Sequence, residues 1–260
     1  LDLPNLYFWI KSDVSAKFSD AAEREKAFAK VRRFYSGRKV IAVSQGVKEN
    51  LEKIVGLNAE TIIPIYNPYE REPFVAMADE PLDLPQGVVA GDYFLSVAAL
   101  EPRKRHDRLL RAYRRAIDEH GLTTPLLIMG KGKPENEARV ADLVTKLDLG
   151  DKVHLLGYND NPYPFIRAAR AMVLTSEAEG LPRVLIEALL LHTPVISVDC
   201  PSGPKEILTQ ELADFLLEPD DEPGLANALA RMAANPVTIE SRHYQQFLKE
   251  TVLPHFEALQ

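Results

Sequence analysis

The chain has 260 residues, which is enough for one large domain or two small ones. Hydrophobic residues make up 46% and charged residues 27% of the sequence, as in an ordinary soluble globular protein. A net charge of −7 gives no reason to expect nucleic acid as a partner. Cys200 is the only cysteine, so an intrachain disulfide is excluded and a reducing, cytoplasmic location is expected. We find no apolar run long enough to cross a bilayer and no signal peptide.

The first 75 residues contain few predicted elements. Ala21–Tyr35 is charged and predicted to be helical, and a strand at Val40–Ser44 follows it. A helix near 46–55 and a second strand at Thr61–Tyr66 complete this region. One α/β unit with a preceding helix is too little for an independent sheet. Residues 68–92 contain several prolines and acidic residues, which predicts a linker.

From Phe94 onward, short apolar runs alternate with helical patterns. The predicted strands are Phe94–Leu100, Pro125–Gly130, Val153–Gly157, Ala171–Ser176, Pro194–Asp199 and Ala213–Glu218. The predicted helices are 105–120, 134–147, 162–170, 182–192, 222–235 and 239–259, with a short turn near 204–210. Several strands are apolar on both faces, which predicts a doubly wound parallel sheet covered by helices on both sides. Ligands of such sheets lie beyond the carboxyl ends of the strands.

The loop after the first of these strands, Leu100–His106, is strongly basic and leads into a helix. Cationic side chains near a helix N-terminus oppose the helix dipole, so an anion such as a diphosphate would account for them. A solvated basic face that continues through Arg115 accounts for them equally well. The next strand ends at Gly130-Lys-Gly132, where glycines allow the backbone to approach a ligand closely.

Ser176–Pro182 is a turn whose proline suits the first helical position, so its free N–H groups can face an anion. Glu187 lies one turn after Arg183 on the same helix. An ordinary surface ion pair would explain these two residues, but the helix is nearly apolar all round. A carboxylate in that setting needs a partner or a function. The loop Cys200–Glu206 repeats the pattern of small residues, a proline and a helix start.

The motif Ser176-x2-Glu179-Gly180-x6-Glu187-Ala188 resembles the Glu-x7-Glu motif of glycosyltransferase family 4, whose members are retaining enzymes of the GT-B fold. The segments Pro194-Val-Ile and Gly203-Pro-x-Glu206-Ile207 continue the likeness. The resemblance covers about 94–218 well and 40–68 more loosely. It implies an α/β protein of GT-B type, in which a Rossmann-like doubly wound parallel sheet is joined to a partial N-terminal acceptor domain.

The resemblance also implies roles for individual residues. Glu179 would lie by the hydroxyls of the donor sugar, and Glu187 would accept hydrogen bonds from the ribose hydroxyls. Backbone amides near Gly180 and Leu181 would hold the distal phosphate. Lys104 would neutralise the diphosphate.

Four further residues complete the predicted site. Arg103 is predicted to be a catalytic residue together with Lys104 and Glu179. The loop at Gly157-Tyr158 would lie against the base, and Gly130 is predicted to approach the nucleotide. The family commonly has an arginine five residues before the lysine, where this chain has Ala99. Arg103 or Arg105 could supply that charge, although some relatives do without it.

The implied division of the chain is an acceptor-domain remnant at 1–75, a linker at 76–92, a donor-binding domain at 93–235 and a C-terminal helix at 236–260 that packs back on the N-terminal part. Only the final elements of an acceptor domain are recognisable, so we expect a missing N-terminal domain or a partner subunit.

The implied reaction is transfer of a sugar from a nucleotide-diphosphate-sugar donor, preferably a UDP-sugar, to a glycan or lipid-linked acceptor with retention of configuration. Neither a metal nor a separate cofactor is expected, because no Asp-x-Asp signature or His/Cys cluster occurs. Acceptors of this class would place the complete protein at the inner face of the membrane as a peripheral protein. The alternative is a nucleotide-sugar-binding module without activity of its own, alone or as a subunit of a split enzyme. An RNA-contacting domain that uses the basic face 103–115 is disfavoured by the net charge.

Overall fold

The computed structural model describes residues 6–14 and 20–259, which form two parallel β-sheets with helices around them. The first sheet has three strands, β1 (Tyr7–Ile10), β2 (Lys39–Ala42) and β3 (Ile62–Pro64), in that spatial order. Their register pairs Tyr7 with Lys39 and Val40 with Ile62. The expectation that this region is too small for a sheet of its own is therefore wrong. The missing strand is β1, whose four apolar residues are too few to show a period.

Two helices accompany this sheet. Helix α1 (Ala21–Tyr35) begins where the Asp20 carboxylate accepts a hydrogen bond from the backbone N–H of Glu23, as an N-cap does. Helix α2 (Gln45–Glu49) begins at Ser44 in the same way and continues as a π-helical segment to Val55. Ser44 lies two residues after the end of β2, so the N-terminus of α2 lies at the carboxyl end of the sheet.

The second sheet has six parallel strands. They are β4 (Phe94–Val97), β5 (Leu126–Met129), β6 (Val153–Gly157), β7 (Ala171–Leu174), β8 (Val195–Val198) and β9 (Leu216–Leu217). The spatial order is β6-β5-β4-β7-β8-β9, so the chain reverses its direction of winding between β4 and β7. All residues of β5, β7 and β8 are buried, as expected for strands covered on both faces.

Helices precede, connect and follow these strands. They are α3 (Arg71–Ala78), α4 (His106–His120), α5 (Pro134–Lys146), α6 (Tyr163–Arg167), α7 (Arg183–Leu190), α8 (Pro204–Ile207) and α9 (Glu222–Ala234). Helix α3 lies in the proline-rich stretch that the sequence assigned to loop and linker. It packs against α6, where the rings of Phe74 and Tyr163 meet edge to face at 5.2 Å. The remainder of the stretch, 79–93, contains neither helix nor strand.

The C-terminal segment differs from the single helix predicted over 239–259. It consists of two short 3₁₀ turns, Ser241–His243 and Gln245–Phe247, followed by helix α10 (Lys249–Glu257). Helix α10 returns to the three-stranded sheet, where Val252 packs against Ile41 and Ile65. The strand predicted at Ala213–Glu218 is likewise mostly a 3₁₀ segment, Gln210–Phe215, before the two-residue β9. Within 6–14 and 20–259, no helix combines the length and apolarity that a membrane span requires.

Candidate active site

A cleft of about 660 Å³ opens at the carboxyl ends of β4 and β7, where the winding of the large sheet reverses. Doubly wound sheets bind ligands at this crevice because the loops leave the two strands in opposite directions. The loop after β4 contributes Arg103 and Lys104, and the loop after β7 contributes 177–182. The structure therefore brings Arg103, Lys104, Glu179, Gly180 and Leu181 together around one cavity.

Lys104 and Glu179 form an ion pair within the cleft, although 75 positions separate them in the chain. The Lys104 Nζ lies 2.5 Å from Glu179 Oε1, and each side chain is only 13% exposed. An ammonium group has three N–H donors, so two remain for a ligand while Glu179 holds the first. The pair thus presents a fixed positive charge next to a carboxylate that can accept hydrogen bonds from hydroxyl groups.

The turn after β7 leads from Gly180 and Leu181 into α7. Helix α7 begins at Arg183, one residue later than expected, so Pro182 is the residue before the helix and makes no side-chain cap. The N–H of Leu181 makes no hydrogen bond to any residue in the described part of the chain. A free backbone N–H beside the start of a helix suits an anionic ligand.

Residues Lys11, Ser12 and Asp13, which follow β1, line the cleft opposite Lys104. Asp13 is buried and accepts a hydrogen bond from the Ser202 hydroxyl at 3.3 Å. The backbone around Lys11 lies so close to Gly180 that a Cβ there would be 2.4 Å from the Lys11 carbonyl oxygen. The sequence did not reveal this wall, because it comes from the other sheet and carries no motif of its own.

Glu187 is buried at 7% exposure and does not line the cleft, although its neighbours Arg183 and Val184 do. Its Oε1 accepts from Arg183 Nη2 at 3.3 Å. Burial raises the pKa of Glu187, and the charge of Arg183 only partly opposes this. The hydroxyl groups of Tyr69 and Tyr163 lie near enough that the carboxylate raises their pKa values, after burial does.

The two arginines beside Lys104 differ in their surroundings. Arg103 lines the cleft, and its Nε donates to Glu101 at 2.8 Å. Arg105 does not line the cleft, and its guanidinium binds Asp107 instead, with Nε 3.0 Å from Oδ1. Burial would raise the pKa of Asp107, but the ion pairs with Arg105 and Arg111 hold it at about 2. Of the two candidates for the charge absent at Ala99, only Arg103 is therefore available to a ligand in the cleft.

Gly130, Gly157 and Tyr158 lie at the ends of β5 and β6, beside the cleft but not in its lining. The Gly130 N–H donates to the Gly157 carbonyl at 2.7 Å. A Cβ on Gly130 would be 1.9 Å from the Ala98 carbonyl oxygen, so close packing of two loops already requires glycine there. Tyr158 is 59% exposed, and the Lys131 ammonium lies 4.3 Å from the centre of its ring. These residues form the surface of the same sheet edge.

The charged groups of the cleft are not arranged as metal ligands. No group of three or more histidine, cysteine, aspartate or glutamate side chains is placed to hold a metal ion in the described part of the chain. The cations that face the cleft are side chains, namely Lys11, Arg103, Lys104 and Arg183.

Residues 89–248 match the family described as "Glycosyl transferases group 1". The chain belongs to this family. Its two parallel sheets have the GT-B arrangement, as in a crystal structure of Alr3699/HepE from Anabaena in complex with UDP and glucose, with a TM-score of 0.76. That likeness covers 97% of this chain and 70% of the other at 19% identity, so it concerns the fold alone.

Among curated group 1 relatives, an uncharacterized glycosyltransferase of Methanocaldococcus jannaschii is 31% identical over 212 residues, which are 78% of this chain and 50% of the relative. The N-acetylgalactosamine-N,N'-diacetylbacillosaminyl-diphospho-undecaprenol 4-alpha-N-acetylgalactosaminyltransferase of Campylobacter jejuni is 29% identical over 193 residues, 74% of this chain and 50% of the relative. The chain thus spans about half the length of the curated relatives it matches.

Proposed function

We propose that this chain carries the donor site of a glycosyltransferase that transfers the sugar of a UDP-sugar to a glycan or lipid-linked acceptor with retention of configuration and releases UDP. The observation that carries the proposal is the Lys104–Glu179 pair at the switch point of the large sheet, next to the free N–H of Leu181. A cation and backbone donors suit a diphosphate, and a carboxylate suits sugar hydroxyls. One nucleotide sugar contains both groups.

Departure of the nucleotide diphosphate builds negative charge on its distal phosphate. Lys104, Arg103 and the backbone around Leu181 surround the place where this charge develops. They are held there before the reaction, so little reorganisation is needed as the charge forms. Each charge-assisted hydrogen bond contributes roughly 1.5–3 kcal/mol. The amines and amides of the chain can therefore supply the stabilisation that a metal ion supplies in other sites.

The nucleoside is proposed to lie towards Glu187 and the edge formed by Gly130, Gly157 and Tyr158. Within the residues that the structure describes, the buried carboxylate of Glu187 has the largely exposed Arg183 as its only ion-pair partner, so it has acceptor capacity left for ribose hydroxyls. The acceptor is proposed to enter from the Lys11–Asp13 side, because the opposite wall of the cleft belongs to the donor. UDP is preferred because it is bound by the structural neighbour from Anabaena, and a lipid-linked acceptor because the Campylobacter jejuni relative is named for one.

Titration calorimetry with UDP, GDP and ADP tests the donor assignment. We expect UDP to bind most tightly, and Glu187→Gln to weaken UDP binding about tenfold, as the loss of one hydrogen bond from a charged acceptor would. Asp118→Asn is the matched control, because Asp118 also pairs with an arginine four residues away but lies on the outer surface of α4. Unchanged UDP affinity in Glu187→Gln would remove Glu187 from the site.

A second candidate function is donor binding without catalysis by this chain alone. The observation that favours it is the small N-terminal sheet, which offers only Lys11–Asp13 to an acceptor within the described residues. Hydrolysis or transfer of a UDP-sugar by the purified chain, abolished in Lys104→Ala, would exclude this second function. Tight UDP binding with no turnover would support it.

A further inference from the structure

The N-terminal part of the chain contacts the donor site at the turn Glu179–Pro182. Ser44 makes this contact, and Glu206, from the donor side, binds the start of α2. Neither residue lines the cleft, and neither has a role in the chemistry proposed above. Their role depends on the proposed donor site and concerns how the phosphate-binding turn of that site is held.

Ser44 joins the two sheets through its hydroxyl group. It is completely buried, accepts from the Val47 N–H at 3.0 Å as the N-cap of α2, and donates to the Gly180 carbonyl at 2.8 Å. The Gly180 carbonyl and the Leu181 N–H belong to one planar trans peptide, so they point in opposite directions. Fixing the carbonyl from the N-terminal side therefore fixes the direction of the free Leu181 N–H.

Glu206 lies in α8, after β8 of the large sheet, and holds the start of α2 by hydrogen bonds. Its carboxylate accepts from the backbone N–H groups of Gln45 and Gly46, both at 2.9 Å, and from the Tyr66 hydroxyl at 2.9 Å. These bonds satisfy two N–H groups that the start of a helix leaves open. Ser44 is the residue directly before Gln45, so the position of its hydroxyl depends on this attachment.

The packing around these bonds is too close to admit a side chain at three glycines. A Cβ on Gly46 would lie 2.7 Å from Ser202 Cα, and one on Gly203 would lie 2.9 Å from Leu181 Cα. With the approach of Lys11 to Gly180, three loops from two sheets meet around one peptide group. Closely packed interiors transmit a displacement instead of absorbing it.

We infer that Ser44 and Glu206 are positioning residues through which the N-terminal sheet sets the affinity of the donor site for the distal phosphate. Ser44 orients the Gly180–Leu181 peptide, and Glu206 holds α2 so that Ser44 can do so. The N-terminal sheet is then part of the donor site as well as the acceptor side. A purely structural role for Ser44 as a helix cap would affect the whole molecule without regard to the phosphate.

Calorimetry with UDP and UMP separates these two roles, because UMP lacks the distal phosphate. In Ser44→Ala we expect the Kd of UDP to rise about tenfold while that of UMP stays within about twofold, since one oriented backbone donor is lost. Glu206→Gln should raise the UDP Kd about threefold, also without an effect on UMP. The two variants change the same attachment at different residues, so failure of one to fold leaves the other as the test.

Arg71→Gln is the matched control, because Arg71 Nε also donates to a backbone carbonyl, that of Leu190 at 2.7 Å, at the opposite end of α7. It should change neither Kd. Equal changes for UDP and UMP in Ser44→Ala, or no change for either, would overturn the inference while the wild type still prefers UDP. A wild type that binds UMP as tightly as UDP would instead overturn the proposed donor site, and this inference with it.

Discussion

The two sheets are stabilised in different ways. The large sheet has three strands buried on every residue, and its helices come from the segments between its own strands. The small sheet has an exposed Trp9 on β1 and takes α10, the last helix of the chain, as its cover. One face of the small sheet shares the main hydrophobic core with the large sheet, whereas its face against α10 depends on residues about 200 positions away.

The two sheets also contribute different groups to the cleft. The Lys104–Glu179 ion pair and Arg103 come from loops of the large sheet. The small sheet contributes a wall at Lys11–Asp13 and, in our inference, the orientation of one peptide group. Changes in the large sheet should alter the chemistry, whereas changes in the small sheet should alter local stability and the fit of the phosphate.

Lys104→Ala should have the largest effect, because it removes the cation at the centre of the cleft and leaves Glu179 unpaired. Loss of two charge-assisted contacts to the diphosphate corresponds to a fall in transfer rate of about a hundredfold or more. The measurement is the steady-state rate with a UDP-sugar. Lys53→Ala removes a lysine from an exposed ion pair with Glu49 and should leave the rate unchanged. A rate within about threefold of the wild type in Lys104→Ala would assign the leaving-group charge to other residues.

His106, the first residue of α4, should give the large sheet a specific sensitivity to acid. Burial lowers the pKa of its imidazole to about 4, and the charges of Lys104 and Arg139 act in the same direction. The unfolded chain takes up this proton near pH 6.5 and the folded chain does not, so stability is lost as the pH falls from about 6.5 to about 4. The full loss is about 3 kcal/mol for a shift of this size.

Urea unfolding of the wild type and of His106→Leu between pH 7 and pH 4 measures this effect. Leucine suits the site because His106 Nε2 has no hydrogen-bond partner in the described part of the chain. The free energy of unfolding should fall less with pH in His106→Leu than in the wild type. His120→Gln, at the exposed end of the same helix, should keep the wild-type slope. Identical slopes in all three proteins would contradict the assignment.

The sequence predicts the elements of the large sheet better than those around the small sheet. Helices predicted at 105–120, 134–147 and 222–235 are found at His106–His120, Pro134–Lys146 and Glu222–Ala234. Strong local patterns, such as fully apolar strands and amphipathic helices, specify the large sheet. Strand β1 and helix α3 were missed because each is short and is stabilised by contacts with distant residues, β1 by β2 and α3 by α6.

The site shows the same limit. Lys104 and Glu179 were predicted to share one site because the family resemblance assigns both to the donor, and because ligands of doubly wound sheets lie beyond the carboxyl ends of the strands. Lys11–Asp13, Ser44 and Glu206 were not assigned to the site, because their positions depend on how the two sheets pack. Only the three-dimensional contact between the sheets gives these residues a place in it.

Val252→Ala tests how far the small sheet depends on α10. Val252 is buried against Ile41 and Ile65, so its truncation leaves a cavity between the helix and the sheet. We expect a loss of about 2 kcal/mol, confined to the small sheet. Hydrogen exchange should show faster opening of β2 and β3 and unchanged protection in β5 and β7. Uniform loss of protection in Val252→Ala would show instead that the two sheets unfold as one unit.

The smallest effect should come from Arg105, which has a φ of 53° in the left-handed region. This conformation costs a residue with a Cβ about 1 kcal/mol relative to glycine. Arg105→Gly and Arg105→Ala both remove the ion pair with Asp107, so their difference isolates the backbone. Arg105→Gly should therefore be more stable than Arg105→Ala by about 1 kcal/mol in urea unfolding. Because Arg105 does not line the cleft, both variants should bind UDP as the wild type does, whereas Arg103→Ala should bind it more weakly. Equal stability of the two Arg105 variants would mean that the turn before α4 relaxes to a right-handed conformation when the side chain is shortened.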